Sequence, residues 1–121
     1  ECDGAYAVHE ANDGLETVQM AQELQPDLIL LDISLPKMNG IEAARQIRRR
    51  CPESKILFVS GERSLDIIRE ALSAGARGYV VKSDGTELLV AVEAVRHGRF
   101  FVSKSLAKYS FVASDLDPNS R

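Results

Sequence analysis

Apolar positions in this chain come in two patterns: short unbroken runs, and longer stretches in which they recur three and four residues apart. Asp27-Leu28-Ile29-Leu30-Leu31 ends at Asp32, Lys55-Ile56-Leu57-Phe58-Val59 ends at Ser60, and Gly78-Tyr79-Val80-Val81 ends at Lys82. Brief runs rich in branched residues, separated by helical spacing, predict buried strands of a parallel sheet. Residues 5–10 alternate more loosely, with Tyr6 and Val8 on one side, and predict a half-buried edge strand.

The stretches between the runs carry helix punctuation. Asp13, with Glu16 three residues on, predicts a capped start, and Leu15, Val18, Ala21 and Leu24 predict the buried stripe. Pro26 stops that helix. Asn39 and Glu42 repeat the signal for a second helix, with Ile41, Ala44 and Ile47 facing inward. Arg48, Arg49 and Arg50 crowd its last turn, where cations suit the helix dipole, and Pro52 ends it. A third helix starts near Ser64, buries Ile68, Ala71 and Leu72, and closes at Gly75. A fourth follows Lys82, with Ser83 or Asp84 as its cap, carries Leu88, Val92 and Val95, and stops at Gly98. Beyond Arg99 the pattern loosens; residues 106–112 suit a short helix and 114–121 a linker. Strands alternating with helices predict an α/β fold, a parallel sheet with helices on both faces.

A length of 121 residues suits one domain with a full core. The formal net charge of -3 argues against this domain holding nucleic acid by itself, which takes a basic face. Cys2 and Cys51 have neither a CxxC nor a histidine at ligand spacing, so they fit a reducing cytosol rather than a disulfide framework or zinc site. No apolar run approaches membrane-spanning length.

In an open parallel sheet, ligands bind just beyond the carboxyl ends of the strands. Asp32, Ser60 and Lys82 therefore share one rim, as a carboxylate, a hydroxyl and an ammonium. That set suits phosphoryl chemistry. A carboxylate attacking phosphorus needs cations to shield both negative partners, and a lysine ammonium is a compact point charge for a phosphoryl oxygen. Taken singly the residues are ordinary: a strand-end aspartate also fits a loop cap, and serines are common where strands become loops. Their arrival on three sister strands is what points to a site. His9 and His97 lie away from the rim and read as structural or exposed.

Four segments resemble the receiver domain of bacterial two-component response regulators. They are Glu10-Ala11-Asn12-Asp13-Gly14, "PDLILLDISLPKMNG" at 26–40, Ser60-Gly61, and "ALSAGARGYVVKS" at 71–83. The likeness runs over about residues 7–105. Gly98-Arg99-Phe100-Phe101-Val102-Ser103 is similar to the subfamily whose receivers precede a helix-turn-helix DNA-binding domain. The resemblance implies a flavodoxin-like doubly wound sheet, with residues 1–105 as the receiver and 106–121 as a helix or linker toward an output domain. It implies Asp32 as phospho-acceptor, Ser60 and Lys82 as contacts to the phosphoryl oxygens, and Tyr79 as an aromatic that follows the switch. Asp32 and the Ser34 backbone carbonyl would help hold Mg²⁺. A sensor histidine kinase would be the phosphodonor, with homodimerisation on phosphorylation and DNA contact only through an output domain. The location would be cytoplasmic, and the chemistry limited to the domain's own phosphorylation and dephosphorylation.

Two departures accompany the likeness. The family's first strand, its central one, and first helix have no counterpart, and with them goes the acidic pair that supplies the other Mg²⁺ carboxylates. The chain is thus expected to open mid-domain and not to be a complete folding unit, although Phe111-Val112-Ala113-Ser114-Asp115 faintly resembles the absent strand. Ser83 stands where many relatives have proline, after a bond that is often cis in the family. Two other functions stay open at this point. One is a receiver-like interaction module that works without phosphorylation. The other is a phosphatase of haloacid dehalogenase type, which needs a second aspartate two residues after the nucleophile, where this chain has Ser34.

Overall fold

The computed structural model describes residues 13–35, 37–106 and 109; for residues 83–85 it describes the backbone alone. Helix α1 spans Gly14–Leu24, strand β1 Leu28–Leu31, α2 Gly40–Arg50, β2 Lys55–Ser60, α3 Leu65–Ser73 and β3 Gly78–Val81. A 3₁₀ helix, Lys82–Glu87, leads into α4, Leu88–Arg96, and β4 is the short pair Phe101–Val102 before a last 3₁₀ turn at Lys104–Leu106. The strands lie side by side in chain order, and every pairing is parallel.

Period-two alternation divides the strands between two faces of the sheet. Ile29, Leu31, Ile56, Phe58, Tyr79 and Val81 point to one face, where Val18 and Ala21 of α1, Ile41, Ala44 and Ile47 of α2, and Ile68, Ala71 and Leu72 of α3 cover them. Leu57 and Val80 point to the other, under Ala91, Val92 and Val95 of α4, with Leu28 and Val59 packed at the margin. The result is three layers, with a core on each side of the sheet. Coverage is unequal. Leu30, on the α4 face of β1, is 49% exposed, and the edge of β1 away from β2 has no strand partner among the described residues. The predicted edge strand at 5–10 and the tail segment from Phe111 lie outside the described residues.

Helix punctuation follows side-chain chemistry at most ends. Glu16 donates its N–H to Asp13 Oδ1 at 2.8 Å, and Glu42 donates its N–H to Asn39 Oδ1 at 2.9 Å. Each bond satisfies a helix-start amide that has no partner within its helix. Gln25 closes α1 in the left-handed region, φ 47°, before Pro26. Gly75, φ 109°, follows α3, and Gly98, φ 81°, follows α4.

Three details differ from the sequence reading. Leu15 and Leu24 flank the buried stripe of α1 rather than joining it; Thr17 is buried instead, its hydroxyl donating to the Asp13 carbonyl at 2.8 Å. Neither Ser83 nor Asp84 caps α4, because both belong to the 3₁₀ helix, and α4 starts only at Leu88. Strand β4 has no counterpart in the sequence pattern, since two residues carry too little periodicity to be read. The Lys82–Ser83 bond is trans, as are all peptides among the described residues.

Close backbone approach fixes the loop after β1. A Cβ on Gly40 would lie 2.0 Å from the Asp32 carbonyl oxygen, and one on Gly14 would lie 1.9 Å from that of Met38. Both helices therefore begin flush against main chain. Gly40→Ala should force α2 away from the end of β1 and cost about 1–3 kcal/mol of stability, read as a lower midpoint in urea. An unchanged midpoint would mean that the contact relaxes freely.

Candidate functional site

Parallel register decides which residues meet at the rim. Leu31 sits beside Phe58, and Ser60 beside Val81. Asp32 therefore leaves β1 where Ser60 closes β2, and Lys82 follows directly after β3. All three predicted residues lie at the carboxyl end of the sheet.

Asp32 and Lys82 touch. Lys82 Nζ lies 2.5 Å from Asp32 Oδ2, with the two side chains 57% and 26% exposed. The other carboxylate oxygen, Oδ1, accepts the Ser34 N–H at 3.1 Å, which holds the carboxylate's orientation from within its own loop. Burial by itself would raise the Asp32 carboxyl. Hydrogen bonds from Lys82, Ser34 and Ser60, with the Lys82 charge, outweigh it and hold the group below the ordinary carboxylate value. Asp32 is therefore ionised at neutral pH and beside a cation, as a carboxylate nucleophile requires.

Ser60 is buried, and its Oγ accepts the Glu62 N–H at 3.2 Å, a turn that starts the loop toward α3. Tyr79 sits under the same loop. Its ring is fully buried, tilted 35° against Phe58 at a centroid distance of 6.2 Å, and its hydroxyl donates to the Glu62 carbonyl at 2.8 Å. Burial raises the Tyr79 phenol above its ordinary value; the Ser60 hydroxyl opposes that rise, while Glu62 and Asp32 add to it. The β2–α3 loop is thus held by a serine at its start and a tyrosine beneath it.

Side chains predicted from the sequence make only part of this site. The Ser34 N–H and the Glu62 carbonyl are main-chain groups, and no residue type announces them. His97 lies at the far end of α4, exposed and 3.4 Å from Glu93, away from the rim. Arg48 and Arg50 lie along the end of α2, bonded to the Pro52 carbonyl and to Gln22 Oε1.

For a divalent cation, the rim offers the Asp32 carboxylate, a hard oxygen donor of the kind Mg²⁺ takes alongside retained waters. Among the described residues no cluster of three or more His, Cys, Asp or Glu could hold a metal ion. One carboxylate suits only a sparsely held, largely hydrated ion.

A carboxylate, a hydroxyl and a lysine stand at the ends of adjacent parallel strands in an αβα sandwich, an arrangement that fits the receiver class. Residues 1–93 match the response regulator receiver domain family, and the chain belongs to it. It is 37% identical over 101 residues to the transcriptional activator protein ExaE of Pseudomonas putida, covering 83% of this chain and 47% of that one. It is 33% identical over 109 residues to the response regulator GacA of Pseudomonas viridiflava, covering 89% and 51%. Among solved structures, a LuxR-family two-component response regulator from Aurantimonas superposes with a TM-score of 0.82 at 37% identity, covering 88% of this chain and 76% of that one. The receiver domain of NarL from Mycobacterium tuberculosis superposes with a TM-score of 0.73 at 32% identity, covering 78% and 77%. The chain spans about half the length of the curated relatives it matches. The fold is the flavodoxin-like receiver fold, and the domain is a regulatory one, of the kind that serves two-component signalling as a phosphorylation-activated switch.

The Tyr79 phenol yields a direct check. Its neutral form is favoured in the folded state, so the stability it contributes is complete below the ordinary tyrosine value of 10.0 and is lost as pH rises through the higher folded value. In an ultraviolet titration of the folded protein, Tyr79→Phe should remove a phenol that ionises above the ordinary tyrosine value. An unchanged titration above that value in the variant would place the protected phenol elsewhere.

Proposed function

We propose that Asp32 accepts a phosphoryl group from a sensor histidine kinase, and that Ser60 and Lys82 read its arrival. The observation that carries this reading is the Lys82 ammonium held 2.5 Å from the Asp32 carboxylate at the rim where Ser60 also ends its strand. An Asp32 carboxylate oxygen attacks the phosphorus of a phosphohistidine. An O–P bond forms, the N–P bond breaks, and the imidazole leaves with its electron pair and takes up a proton. The product is an acyl phosphate on Asp32. Mg²⁺, held by the Asp32 carboxylate and the Ser34 carbonyl, would supply charge neutralisation to the incoming phosphoryl group. Lys82 moves its charge from the carboxylate to a phosphoryl oxygen. Ser60 turns its hydroxyl from the Glu62 N–H toward another, which loosens the β2–α3 loop and the hold of Tyr79 on Glu62.

The readout lies outside the rim. Residues 106–121 act as the linker to a DNA-binding output domain, and phosphorylation promotes homodimerisation in the cytoplasm. The relatives' descriptions as transcriptional activator and response regulator support this reading, as does a net charge of -3, which leaves DNA contact to another domain.

Treated with a small-molecule phosphodonor and Mg²⁺, the protein should gain one phosphoryl mass by intact mass spectrometry, and Asp32→Asn should abolish it. Persistent labelling of the variant would move the acceptor elsewhere. Lys82→Ala should still label in part but no longer dimerise on labelling, as followed by light scattering. Normal dimerisation of the labelled variant would remove Lys82 from the readout.

A further inference from the structure

Strand β4 ends in an unusual way. Phe101 donates its N–H to the Arg77 carbonyl at 3.2 Å, and Ser103 donates its own to the Tyr79 carbonyl at 3.0 Å. In an evenly spaced parallel ladder the next rung would run from the Val81 N–H to the Ser103 carbonyl. Instead the Val81 N–H donates to the Ser103 side-chain hydroxyl, Oγ, at 2.8 Å in a fully buried position. The Ser103 carbonyl is thereby released, and it accepts the Leu106 N–H at 2.9 Å, which starts the last 3₁₀ turn. One side chain substitutes for one rung of the sheet and lets the chain turn away.

Val81 is the residue immediately before Lys82. Its amide would be buried without an acceptor if the hydroxyl were gone, and such a group does not stay in place without cost. The next residue along, Lys104, donates its N–H to Glu87 Oε2 at 2.8 Å. Glu87 is the last residue of the 3₁₀ helix that Lys82 opens. Ser103 and Lys104 therefore clamp that helix at its two ends.

We propose that Ser103 is a positioning residue for Lys82, its hydroxyl fixing the main chain from which the lysine reaches Asp32. The proposal rests on the reading of Lys82 as the cation of the phospho-acceptor site. The lysine side chain is long and largely exposed, so the 2.5 Å contact depends on where its backbone starts. A serine suits the task because its oxygen can occupy a carbonyl's place while the main chain departs in another direction.

The test needs no phosphodonor, so its outcome is separate from that of the labelling experiment. In the full chain with ¹⁵N-labelled lysine, the Lys82 ζ-ammonium is assigned as the signal that moves in Asp32→Asn. Ser103→Ala should shift that signal toward the free lysines and speed hydrogen exchange of the Val81 amide roughly five- to tenfold. Ser103→Thr, which keeps the hydroxyl, should restore both. If Ser103→Ala does not fold, Ser103→Thr alone carries the test, and it must keep the parent signal and the parent exchange rate. A parent-like ammonium signal in a folded Ser103→Ala protein would overturn the proposal. So would loss of the signal in a folded Ser103→Thr protein.

Discussion

Everything at this site depends on where three parallel strands stop. Backbone pairing in a parallel sheet allows no free choice of register once each face has a core to bury. A slip of one residue in β2 would send Phe58 toward α4 and bring Leu57 under α2 and α3. The packing of Phe58 and Tyr79 on one face, and of Leu57 and Val80 on the other, therefore also sets the position of Asp32, Ser60 and Lys82. The polar residues do not have to find one another. They are brought together by hydrophobic burial deeper in the sheet, and the Asp32–Lys82 pair, partly exposed and open to solvent screening, contributes little to holding the fold.

The loop between β2 and α3 has the opposite character. Few apolar contacts hold it: Glu62 is bonded through its main chain to Ser60 on one side and to Tyr79 on the other. Two hydroxyls on neighbouring strands thus control one short segment. Rearranging such a segment exchanges hydrogen bonds without opening the core, and hydrogen-bond exchange involves small net free energies.

The sequence was most legible where a residue type interrupts a pattern. Asp32, Ser60 and Lys82 each halt an apolar run, so the strand ends and the rim could be read directly. Asp13 and Asn39 announced their helices because an acceptor side chain is needed at an unpaired amide. Legibility failed where the main chain does the work or an element is too short. Strand β4 is two residues long and shows no period. The start of α4 is illegible because Ser83 and Asp84 look like caps, whereas the chain takes a tighter turn before widening at Leu88. Leu15 and Leu24 have core spacing, but α1 presents a narrower stripe than its apolar residues suggest. Ser103 also follows apolar residues, Phe100-Phe101-Val102, but only the coordinates show its hydroxyl accepting the Val81 N–H in place of a backbone carbonyl.

The two flush glycines have a mechanical meaning. Gly14 rests against the Met38 carbonyl, and Gly40 against that of Asp32. The start of α1, the turn before α2 and the end of β1 thus touch main chain to main chain, in series. A side chain added at either joint would meet main chain first, and main chain cannot yield by changing rotamer. The packing of this corner therefore depends on two residues that contribute no side-chain atoms at all.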